Sequence, residues 1–77
     1  MKIDERIQKD LNIMEEVLEE VKSLNLSDEE LAVVERTKNY RDDSKYYLEK
    51  KDYDTSFGCI AYAHGLIDAL RLIYKLI

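Results

Sequence analysis

Not one proline interrupts this 77-residue chain, and its only two glycines stand at positions 58 and 65. Proline removes a backbone donor and clashes with the preceding helical turn, and glycine loosens a helix. Without these breakers, and without the Gly/Pro clusters that punctuate turn-rich β architectures, the chain is free to run as long helices. Three segments carry helical spacing. They predict helices over about 3–24, 28–49 and 53–77, in one all-α domain spanning 1–77. Short connections make consecutive helices antiparallel neighbours, so the expected fold is a three-helix up-down-up bundle.

In the first segment Ile3, Ile7, Leu11, Met14, Leu18 and Val21 recur every three or four residues, and Val17 and Leu24 widen the stripe. Glu and Lys fill the opposite side, as on a solvated helix face. After Asn25-Leu26, the run Ser27-Asp28-Glu29-Glu30 matches a capping box. The serine oxygen accepts from the N3 amide and the glutamate reaches back to the cap's own N–H. Leu26 and Leu31 hold the positions of the accompanying hydrophobic staple.

The second segment has apolar residues at Leu31, Val34, Tyr47 and Leu48, with a weaker row of Val33, Thr37, Tyr40 and Ser44. Its middle is almost wholly polar, so it is expected to feed the core at its two ends. Lys50-Lys51 then precede Asp52, a good N-cap for the third helix.

The third segment is different in kind. On a wheel of 100° per residue its apolar arc spans about 220–260°, where a surface helix needs a little over 100°. Ile60 and Ile67 lie almost opposite Gly58, whereas Arg71, His64, Lys75 and Asp68 share a narrow sector with Tyr53 and Phe57. Two neighbouring helices cannot cover so wide an arc, and something outside the bundle is expected to cover the rest. Ala61, Gly65 and Ala69 are spaced by four, with Gly58 on the same side. Glycine inside a helix costs about 1 kcal/mol relative to alanine, so close approach of another group is expected there. That group is either an intrachain ring such as Tyr40 or Tyr47, or a second helix at an oligomer interface. The candidate interface comprises Gly58, Ala61, Tyr62, Gly65, Leu66, Ala69 and Ile73.

Charge and cysteine content narrow the function classes. Seventeen acidic against twelve basic residues give a formal charge of -5, and no basic stripe offers a nucleic-acid footprint. The lone Cys59 lies in an apolar stretch, excludes an internal disulfide and fits a cytoplasmic setting. The charged Met1–Arg6 lacks the apolar core of a secretory leader. His64, Asp68, Arg71 and Lys75 in the most apolar stretch argue against a membrane span. No metal, cofactor or catalytic motif is expected. His64 and Asp68 are helical neighbours and, with Tyr53 and Arg71, form a candidate polar site. A His–Asp pair can serve as a base and its orienting carboxylate. The alternative is a salt-bridged surface strip of small net value. Six tyrosines suit partly wet interfaces or the edge of a core.

From Tyr46 to Leu70 the sequence resembles a known family. Tyr47-Leu48 followed by Lys50-Lys51-Asp52-Tyr53, then Tyr62-Ala63, Gly65-Leu66 and Asp68-Ala69, is similar to an uncharacterised archaeal helical family, domain of unknown function 357. Lys51 stands where that family usually has glycine, at a position suited to a left-handed cap. The family occurs as small stand-alone proteins or as modules appended to nucleotidyltransferase-like domains, so the resemblance implies an accessory or assembly role. The hairpin also looks like a tetratricopeptide unit or a HEPN-type module. One hairpin makes no repeat array, and Arg41 and Arg71 are misplaced relative to His64 for the HEPN nuclease signature. The expected function is therefore a non-enzymatic interaction module using the third helix, by self-association or by docking to a partner domain. The alternative is a small-ligand or catalytic site on the His64/Asp68/Tyr53 face.

Overall fold

A computed structural model describes residues 1–77 as three helices, α1 (Ile3–Val21), α2 (Asp28–Glu49) and α3 (Tyr53–Ile73). Side-chain links fix their directions. Ser44 meets Ser56, Tyr40 meets Tyr62 and Glu30 meets Tyr74, which makes α2 and α3 antiparallel. Arg6 lies over Phe57, Asp10 meets His64 and Glu20 meets Arg71, so α1 and α3 run parallel. The result is an up-down-up bundle with one core cluster. No helix is long and apolar enough to cross a membrane.

Heptad-like spacing sets which side of each helix faces in. Ile7, Leu11, Met14, Leu18 and Val21 of α1 are buried, as are Ile60, Ala63, Ile67 and Leu70 of α3. Both series step by three and four, the spacing of coiled-coil-like packing. On α2 the expectation holds at Val34 and fails elsewhere. Leu31 is 48% exposed and Tyr47 and Leu48 are half-buried, whereas Val34, Thr37 and Ser44 are buried. The inward row therefore joins Val34 to two hydroxyl residues from the polar middle of the helix, where little core was expected.

Those hydroxyls are satisfied locally. Thr37 Oγ1 donates to the Val33 carbonyl at 2.8 Å. Ser44 Oγ donates to the Ser56 carbonyl at 2.9 Å, and Ser56 Oγ donates to the Ser44 carbonyl at 2.7 Å. Neither serine is exposed at all, and no buried side-chain polar atom lacks a partner. Small side chains here let α2 and α3 approach closely, and this pair makes the most extensive helix contact in the fold.

The helix ends also carry their signatures. Ser27 and Glu30 form the expected capping box, and the Asp52 carboxylate accepts from the Thr55 amide. Both α2 and α3 terminate in Schellman turns. Asp52 N–H reaches Tyr47 O and Lys51 N–H reaches Leu48 O, and Leu76 N–H reaches Arg71 O and Lys75 N–H reaches Leu72 O. Lys51 (φ 62°) and Lys75 (φ 58°) hold the left-handed position that glycine usually takes. Two boundaries differ from expectation. The first helix stops at Val21, not residue 24, because its last turn tightens to i,i−3 bonds (Lys22 to Glu19, Leu24 to Val21). Leu24 still packs against the core from the turn. The third helix stops at Ile73, not residue 77, because its Schellman turn ends it.

Two substitutions test this account. Lys51→Gly relieves the left-handed strain and should raise stability by about 1 kcal/mol, a melting-temperature gain of several degrees. Ser44→Leu should overpack the α2–α3 contact and lower stability by about 1–3 kcal/mol in urea unfolding.

Candidate functional site

With Ser56, Ile60, Ala63, Ile67 and Leu70 turned inward, α3 presents a second set of residues at the same three–four spacing to solvent. Gly58, Ala61, Gly65 and Ala69 are exposed, as are Tyr62 (50%), Leu72 (61%) and Ile73 (68%). Leu66 is half-buried at the edge. The structure thus places six of the seven expected interface residues fully on one outward surface, joined by Leu72, and none of them is charged. Ile13 of α1 is 38% exposed and borders this surface across a shallow groove floored by Ala61 and Gly65.

The glycines do not receive an intrachain ring. A methyl group added at Gly58 or Gly65 would meet nothing within 4 Å. Tyr40 instead packs edge-on against the Tyr62 ring at 4.6 Å, and Tyr47 against Tyr46 at 5.1 Å. The expectation of close packing against Tyr40 or Tyr47 is therefore corrected. Close approach within the chain occurs at Ser44 and Ser56, on the opposite side of α3.

The polar sector of α3 lies along α1. His64 Nε2 donates to the Asp10 carbonyl at 2.9 Å, across a half-buried seam. Arg71 donates to Asp68 at 2.9 Å and to Glu20 at 2.8 Å. These contacts raise the guanidinium further above its ordinary value and keep it charged. Asp68 thus pairs with Arg71, and no hydrogen bond joins it to His64. Tyr53 lines a separate cleft with Asp4, Glu5 and Gln8, eleven residues and about 16 Å along the axis from His64. Of the four candidate polar residues, His64 and Asp68 line one shallow groove with Arg6 and Asp10, and Tyr53 lies apart from them. Burial, helped by Asp43 and Asp52, pushes the Cys59 thiol up and holds it protonated, which suits packing rather than nucleophilic chemistry. No group of three or more His, Cys, Asp or Glu side chains is placed to hold a metal ion.

Two features at the α1–α2 end of the bundle had weaker sequence signals. Leu18, Val21, Leu24, Leu26, Leu31 and Val34 line an apolar groove of about 240 Å³, so the two staple positions, Leu26 and Leu31, share one groove. Beside it the Tyr74 hydroxyl donates to the Glu30 carboxylate at 2.7 Å and tethers the end of α3 to the start of α2. Glu30 was visible as a capping residue, but nothing in the sequence paired it with Tyr74.

The chain belongs to the family described as Protein of unknown function (DUF357), whose model matches residues 9–76. No curated protein matches it.

The Tyr74–Glu30 tether has a pH signature. Hydrogen bonds from the Ser27 backbone and the Tyr74 hydroxyl lower the Glu30 carboxyl below its ordinary 4.5. A lowered folded value gives stability that is present above that pH and lost as pH falls through the folded value. The carboxylate raises the Tyr74 hydroxyl above 10.0, so its contribution is present below that pH and lost as pH rises through the raised value. Tyr74→Phe should lower the melting temperature near neutrality. It should also shrink the acid-induced drop between about pH 6 and pH 3 relative to the parent.

Proposed function

We propose that this protein is a non-enzymatic interaction module that self-associates through the outward face of α3. The observation that carries this reading is the pair of exposed helical glycines with open space above them. Each costs about 1 kcal/mol relative to alanine, and nothing within the protomer uses the room they leave. A second helix crossing at Gly65 would use it.

Charge favours a second copy of the chain at this face in particular. Two molecules of formal charge -5 repel over most of their surfaces. The outer side of α1 is lined by exposed Glu5, Glu16 and Glu19, and that of α2 by exposed Glu35, Asp42 and Asp43. The α3 face is uncharged from Thr55 to Ile73 apart from Asp68 at its margin, which Arg71 neutralises. Like-charge contact is smallest where α3 meets α3. The polar sector gives a catalytic reading little support, because His64 is committed to a backbone carbonyl and Asp68 to Arg71.

Sedimentation equilibrium at micromolar to submillimolar concentration tests the proposal. The expected parent species is a dimer. Gly65→Leu should keep the helical content of the protomer, since the added side chain meets open space, and should shift the protein to monomer. A parent that stays monomeric throughout overturns self-association. Gly65→Ala should stabilise the protomer by about 0.5–1 kcal/mol, and its melting curve below the dimer concentration checks that the glycine is not needed for folding.

A further inference from the structure

Resting on that self-association, we infer that two copies pair α3 against α3 in antiparallel fashion, about a twofold axis at Gly65. Three features of the face lead to this arrangement.

The first is shape. The two ends of the face differ in bulk. Toward the N-terminus stand Thr55, Gly58 and Ala61, and toward the C-terminus stand Leu72 and Ile73, exposed by 61% and 68%, followed by Leu76 and Ile77. An antiparallel pairing about residue 65 sets position 58 opposite 72 and position 61 opposite 69. Leu72 of each copy then falls on the bare backbone at Gly58 of the other, and Ala61 lies against Ala69. A parallel pairing sets glycine on glycine at one end and leucine on leucine at the other, which leaves a void and a crowd.

The second is charge. Asp54 borders the N-terminal end of the face and Lys75 the C-terminal end; both are exposed and neither has an ion-pair partner in the protomer. The antiparallel arrangement brings the end of the face that carries Asp54 to the end of the other copy that carries Lys75, just past the last turn of α3. The parallel one sets like against like. The third is the helix macrodipole, which favours opposed helix directions.

Oxidative crosslinking of single-cysteine variants on a Cys59→Ser background tests the orientation; Gly58→Cys is tolerated because its side chain meets open space. When Gly58→Cys and Leu72→Cys proteins are mixed, the mixed disulfide should dominate, and Gly65→Cys alone should crosslink to itself. Predominance of 58–58 and 72–72 disulfides would establish a parallel pair and overturn the inference. A sedimenting dimer that forms none of these crosslinks also overturns it, by placing the interface elsewhere. A parent that sediments as a monomer instead removes the self-association itself, so the two failures are distinct. As a second measurement, Asp54→Lys should weaken the dimer by roughly two- to tenfold, and Asp54→Lys/Lys75→Asp should restore it. Lack of restoration counts against the register.

Discussion

The reciprocal hydrogen bonds between Ser44 and Ser56 are the contact on which the rest of the bundle turns. Two hydroxyls, each donating to the other residue's carbonyl, bury two polar side chains without leaving an unpaired group. They also hold the α2 and α3 backbones at a separation that larger side chains would prevent. Once that pair is fixed, the inward row of α3 follows at three–four spacing through Ile60, Ala63, Ile67 and Leu70. Its outward row follows with equal necessity. The exposed glycines, alanines and large apolar groups are what remains of a nearly all-apolar helix after the serine pair has chosen which side goes in.

That choice explains which parts of the fold the sequence discloses. The α1 core stripe is legible because every member is a large aliphatic residue against a charged background. The capping box at Ser27 and Glu30 is legible because both partners lie within one turn. The inward row of α2 is legible only at Val34 and as a faint second row, since the hydroxyls of Thr37 and Ser44 become acceptable in a core only through partners on the folded backbone. His64 illustrates the same gap. Its neighbour at i+4 is Asp68, but its actual partner is a carbonyl 54 residues away. Gly58 and Gly65 stood out from the start. Which side of so wide an apolar arc turns inward is not legible, and that is why the ring expected at Tyr40 or Tyr47 is replaced by open space at both glycines.

The glycines weigh on the protomer. Two of them in one helix cost roughly 2 kcal/mol relative to alanine. Small domains are stable by only about 5–15 kcal/mol in all, so this is a substantial fraction. The left-handed lysines at 51 and 75 add strain of their own. A protomer built for its own stability would replace all four. The self-association proposed above would give the glycines a rationale, because another backbone against α3 would use the room they leave.

An apolar arc as wide as that of α3 raises a separate difficulty, for such a helix can bury one row or another by rotating about its axis. Hydrophobic burial alone distinguishes these states weakly. The polar seam with α1 supplies the distinction. His64 is held at the Asp10 carbonyl and Arg71 at Glu20, about two turns apart along α3, and both links break if the helix rotates by one residue's worth of angle. Leaving His64 and Arg71 half-buried without these partners would cost more than the hydrogen bond and the ion pair contribute in place. The residues that look most like an active site thus gain a physical role as the registry of α3, and through that registry they keep Gly58, Gly65 and Leu72 on the outside, where a second copy can reach them.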